Sequence, residues 1–187
     1  MSIFDEVKQS AEGRELSVNW YRTKISSLGG DSKDPIEHIN EGRSTIRHGY
    51  GIMNLFHYLP KTAEKLPFYD VFPLVIPIES KKGGFLGINF HYLTIPQRVR
   101  ILSMLTDAFG DEEKLNFTWM SVSSNSKIRP IVRRYKTQNI NSRVLRISLE
   151  DMLIAVLLPV QRFYKGPIYS RTAVSSNVVY SNIRKQM

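Results

Sequence analysis

Cysteine occurs at none of the 187 positions, which excludes disulfides, thiolate metal sites and cysteine nucleophiles. Long apolar runs are missing too. The longest, MLIAVLLPV, has nine residues and contains Pro159, about half of what a membrane helix needs. The N-terminus, MSIFDEVKQS, lacks the basic and apolar regions of a secretory signal. These absences lead us to expect a soluble protein made in a reducing cytoplasm, with no membrane partner.

Histidine is scarce, with four residues, and none stands in an H-x-x-x-H, H-E-x-x-H or H-x-H pair. His57 and His91 share the context Phe-His-Tyr-Leu. In neighbouring strands such a repeat gives equivalent cross-strand aromatic packing, a simpler reading than a metal pair. No phosphate loop of the G-x-x-x-x-G-K-[ST] type and no G-x-S-x-G elbow occurs. The carboxylates gather at Asp111-Glu112-Glu113, after a helix end, and at Glu150-Asp151, in a first helical turn. Helix-dipole and solvation arguments account for both groups. The expectation is a protein that is not an enzyme, with no cofactor, no metal and no small-molecule ligand.

Acidic residues nearly vanish from the C-terminal part, and this is the one chemical feature above background. Residues 1–113 carry 13 Lys/Arg and 15 Asp/Glu; residues 114–187 carry 13 Lys/Arg and only Glu150 and Asp151. Such asymmetry points to a polyanion or an acidic protein surface as partner. Lys127, Arg129, Arg133, Arg134 and Lys136 fall within ten residues, and Arg143 and Arg146 follow. On a basic helix spanning 129–140, positions 129, 133 and 136 share a face that can meet phosphates or acidic partners. No zinc finger, helix-turn-helix or aromatic RNA-binding motif is present, so nucleic acid would be held by its backbone without sequence reading.

Periodicity and turn signals predict an α+β fold: a small antiparallel β-barrel or curled sheet, with an SH3-like barrel as one form, and helices packed on it. Strands are expected at 50–59, 71–79, 85–93, 115–124 and 142–148. Ser80 to Gly84 form a hairpin loop of three to five residues. Pro73 and Pro77 mark an edge or a bulged strand. Helices are expected at 14–28, at 94–110 with a Thr94 cap and early Pro96, and at 148–159 with Ser148 and Asp151 as a capping box. A shorter helix precedes Gly13. The domain reading is a helical N-terminal arm and linker at 1–45, a core at 46–163, and an extended C-terminal arm at 164–187.

The middle of the chain resembles a known family. GIMNLFHYLPKTAEKLPFYDVFPLVIPIESKKGGFLGINFHYLTIPQRVRILSML is similar to a small protein of T4-like and related contractile-tailed phages. There an aromatic strand, an LPYYD-x-FPLVIP run, a GGFxGINxHYLP run and a helix follow in that order. IRPIVRRYKTQNINSRVLRISLEDMLIAVLLPVQRF is similar to the later segments of that family. The resemblance covers about residues 47–163. It implies a bacteriophage (myovirus) protein, located in the virion and made in the host bacterial cytoplasm. Family members are often labelled DNA end protector proteins, which shield linear phage DNA ends from host nucleases.

Two functional expectations follow. The first is a structural virion protein of the tail, baseplate or neck, in symmetric copies, held to other virion proteins by its arms and basic face. The alternative is a sequence-independent DNA end-binding protein that acts on phage DNA through residues 127–146.

Overall fold

The computed structural model describes residues 3–11, 44–45, 47–111 and 113–187. The helix expected at 14–28 and most of the linker lie outside these residues. Helices are α1 (Ile3–Ala11), α2 (Ile95–Phe109), α3 (Trp119–Ser123), α4 (Met152–Leu157) and α5 (Ser176–Arg184). Strands are β1 (Ser44–Thr45), β2 (Met53–Leu55), β3 (Tyr69–Asp70), β4 (Leu74–Lys81), β5 (Gly84–Asn89), β6 (Val132–Lys136), β7 (Val144–Ile147), β8 (Phe163–Lys165) and β9 (Thr172–Val174).

The fold is α+β, built on a six-stranded sheet in the order β1-β7-β2-β4-β5-β6, whose ladders are all antiparallel. The sheet does not close into a barrel: β1 and β6 stand at its two ends. It separates two clusters, as alternation along a strand requires. Met53, Leu55, Leu74, Ile76, Ile88, Leu145 and Ile147 point to the main core, where Ile101, Leu102 and Leu105 of α2 and Met152 and Ile154 of α4 cover them. Burying each such side chain contributes about 1.5–3 kcal/mol. Phe56, Tyr58, Val75, Phe85, Tyr135 and Val144 form a second cluster on the opposite face. Tyr135 of β6 and Val144 of β7 share that cluster although three strands lie between theirs. The sheet is therefore strongly curled.

The hairpin between β4 and β5 is tighter than expected. Lys81 pairs with Gly84, so the loop is Lys82-Gly83, with Gly83 at φ 72°. A two-residue turn needs positive φ, which glycine adopts without a Cβ penalty. Strand β4 is central rather than an edge, but it carries the bulge: register shifts between Pro77 and Glu79. Pro77 cannot donate to the ladder, while its carbonyl accepts from Gly51 N at 3.0 Å. Helix α2 starts as its sequence predicts, with Gln97 Oε1 accepting from Thr94 N at 3.0 Å.

Three segments differ from expectation. Residues 115–124 hold a lone bridge at Leu115 and then helix α3, not a strand. Residues 129–140 are not a helix: a 3-10 turn (Arg129–Ile131), strand β6 and a second 3-10 turn (Thr137–Asn139) replace it. Residues 164–187 are not extended throughout. β8 and β9 form a second antiparallel sheet with β3, and α5 buries Val179 and Ile183.

Candidate nucleic-acid interface

Strand β6 carries the basic segment, and its register decides which cations meet. Phe85 pairs with Tyr135 and Gly87 with Arg133, so Arg133 and Tyr135 share the face of the second cluster. Arg134 alternates to the other side. Around this strand opens a cavity of about 310 Å³, lined by Tyr58, Tyr69, Tyr92 and Tyr135, by Lys61, Arg133, Arg134 and Lys136, and by Asp70. Four cations thus contribute to its lining, against one carboxylate.

The tyrosines are held by their neighbours. Tyr135 OH accepts from Asn89 Nδ2 at 3.0 Å. Tyr58 OH accepts from Lys136 N at 3.2 Å. The Tyr58 and Tyr135 ring centroids lie 5.0 Å apart, edge to face, a favoured aromatic arrangement. The guanidinium of Arg133 sits 4.5 Å from the Tyr92 ring centroid, within cation–π range. Its Nη1 donates to the Pro130 and Val132 carbonyls at 2.7 and 2.9 Å. Burial pushes the Tyr92 hydroxyl up to about 12, against the opposing pull of Arg133. Burial raises the Tyr135 hydroxyl as well. Both remain neutral donors at neutral pH.

Asp70 sits under this wall with its charge dispersed over donors. Its Oδ1 accepts from Phe72 N at 3.1 Å and Arg162 N at 3.3 Å. Its Oδ2 lies 2.8 Å from His91 Nδ1. Burial lowers the pKa of His91, with Asp70 opposing, so the ring is neutral and donates from Nδ1. The His91 ring is fully buried, and the pair fixes β3 to the turn at Phe90–Tyr92. The two Phe-His-Tyr-Leu copies are therefore not equivalent. Residues 90–92 form a 3-10 turn, whereas His57 is half-buried beside Phe72, with ring centroids 5.2 Å apart. What the copies share is their tyrosines, Tyr58 and Tyr92, both in the cavity wall.

The seven cations singled out in the sequence divide into groups. Arg133, Arg134 and Lys136 line the tyrosine cavity. Arg129 and Arg133 line a second cavity of about 440 Å³ with Ser123, Ser124, Ser126 and Gln186. Arg133 belongs to both. Lys127 is exposed in the preceding loop. Arg143 precedes β7 and Arg146 lies on it, and β7 is at the far side of the ladder from β6. Arg146 donates from Nε to the Arg47 carbonyl at 3.0 Å and from Nη2 to the His48 carbonyl at 3.4 Å. The shared helical face of 129, 133 and 136 does not exist, because β6 replaces the helix. Sequence reasoning placed Tyr135 beside the basic residues but missed Lys61, Tyr58, Tyr69 and Tyr92; only their sequence-distant pairing shows that they converge.

Among the described residues, no group of three or more His, Asp or Glu could hold a metal ion, and no helix is long and apolar enough to cross a membrane. No curated protein and no solved structure matches the chain. The family model of the Phage T4 terminal DNA protecting protein matches residues 8–180. That span reaches into the N-terminal region and the tail, both outside the stretch that carried the resemblance, and it favours end protection over assembly with tail or baseplate proteins. The chain belongs to the Phage T4 terminal DNA protecting protein family.

Proposed function

We propose that this protein binds the ends of linear phage DNA without reading sequence, through phosphate contacts from Lys127, Arg129, Arg133, Arg134 and Lys136. The observation that supports it best is the convergence of Lys61 and the β6 cations on cavities that share Arg133, in a chain of this family. Cations clustered on one surface attract a polyphosphate, and contacts to phosphate position a duplex without specifying bases. No observation favours a place in the tail, baseplate or neck.

Duplex binding titrated against salt tests this reading. Contacts from the five cations at 127–136 give a log–log salt slope of about −4 to −5. Arg129→Ala and Arg134→Ala together reduce that slope by about 2. Absence of binding at low salt, or an unchanged slope in the double variant, overturns it.

A further inference from the structure

The cavity beside β6 has features that phosphate contact alone does not need. A duplex backbone held by exposed cations requires no aromatic cavity. Here a partly open cavity of about 310 Å³ is lined by Tyr58, Tyr69, Tyr92 and Tyr135, all four largely buried. Its volume lies at the lower end of the range for small-ligand pockets. Tyrosine walls beside cations are the chemistry that binds single nucleotides: aromatic surface takes a base, and Lys or Arg takes the phosphate. Asp70, hydrogen-bonded through both oxygens, is outnumbered by the cations in the lining. An internal nucleotide of an intact duplex cannot enter without unstacking and unpairing on both sides, whereas a terminal one is held on one side only.

We propose that this pocket takes the terminal nucleotide of a linear DNA strand, its base against the tyrosines and its phosphate against Lys61, Arg133 and Lys136. The proposal rests on the DNA-binding reading above and supplies what that reading lacks, a reason for preferring ends. One base seated on aromatic surface gives a preference of about tenfold or more over DNA without ends.

The test compares an internally labelled linear duplex with a dumbbell of the same sequence closed by hairpins at both ends, measuring anisotropy at one low salt concentration. The linear duplex is expected to bind at least about tenfold tighter. Leu66 lines the pocket and is 38% exposed, so it accepts substitution without disturbing the core. Leu66→Glu, which places a carboxylate beside the bound phosphate, is expected to abolish the preference, and Leu66→Gln to keep it. Equal, salt-dependent binding of the two DNAs by the unaltered protein overturns the pocket and leaves the phosphate-binding reading standing. Failure to bind either DNA overturns both. A preference that survives Leu66→Glu also overturns the pocket. Photocrosslinking the unaltered protein to 5-iododeoxyuridine at a strand terminus needs no variant. Adducts on Tyr58, Tyr69, Tyr92 or Tyr135 support the proposal, and adducts only elsewhere refute it.

Discussion

Arg98 offers the sharpest test of how this fold is held together. It is a fully buried arginine on α2, and among the described residues no carboxylate is in hydrogen-bonding contact with it. Its Nε donates to the Leu93 carbonyl at 2.9 Å, its Nη1 to the Val156 and Leu158 carbonyls at 3.3 and 3.4 Å, and its Nη2 to Tyr180 OH at 3.2 Å. Val156 lies near the end of α4 and Leu158 follows it, where helical carbonyls lack intrahelical partners. One guanidinium therefore joins α2, the end of α4 and α5. Arg98→Met preserves most of the volume, so the cavity contribution is small. Three carbonyls then lose a donor at about 1 kcal/mol or more each, while relief from burying a charge offsets part of any larger cost. The net expectation is a loss of about 3 kcal/mol, a large fraction of the roughly 5–15 kcal/mol typical of a domain. With a urea m-value of about 2 kcal/mol/M, the midpoint falls by about 1.5 M at constant m. Tyr180→Phe, which removes one acceptor, is expected to lose about 1 kcal/mol. A loss under about 1 kcal/mol for Arg98→Met would show that the buried charge costs as much as its bonds return, and would refute this reasoning.

Other expectations follow from single features. Burial lowers the pKa of both His91 and His48 below the ordinary 6.5, so the unfolded chain binds these protons more readily than the folded one. That contribution to stability is complete above about pH 6.5 and is lost as pH falls toward the folded values; urea midpoints should decline below 6.5, and His91→Gln should flatten the decline. A Cβ at Gly84 would stand 1.8 Å from the Tyr135 carbonyl oxygen, so Gly84→Ala should displace β6, destabilise by about 2 kcal/mol or more and weaken DNA binding. At Gly83 no atom lies within 4 Å, but φ is +72°; Gly83→Ala should cost only the left-handed strain of about 1–2 kcal/mol and leave DNA binding intact. Thermal melts and binding titrations of the two variants separate these outcomes.

Much of the frame was legible where local signals and tertiary structure agree. Strands β2, β4 and β5, the presence of a hairpin between β4 and β5 (though not its two-residue length) and helix α2 follow from alternation, glycine placement and the Thr94 cap. Agreement failed where partners distant in sequence decide conformation. Ile131 and Tyr135 have helical spacing, yet Val132 to Lys136 extend because β5 offers an open ladder from Gly84 to Ile88. Phe117 and Trp119 suggested a strand, but Thr118 N donates to Ser121 Oγ at 3.0 Å and a short helix begins there. In the tail, Val179 and Ile183 are four residues apart, a helical signal too brief to stand out among Ser and Asn. The candidate site divides in the same way. Its cations were visible as a charge run, whereas the tyrosine wall exists only after β3, the 90–92 turn and β6 come together. Arg98 carried no sequence mark of burial, because its acceptors are the carbonyls of Leu93, Val156 and Leu158.

The claim that this chain shields DNA ends by occupying them is tested most directly by exonuclease digestion. Linear duplex saturated with the protein at low salt is exposed to a double-strand exonuclease, and full-length strands are followed over time. The account predicts that full-length DNA persists, and that protection is lost when salt reaches the range where binding fails or when Arg129→Ala and Arg134→Ala are combined. Digestion at the rate of naked DNA, under conditions where titration shows the duplex saturated, would contradict it.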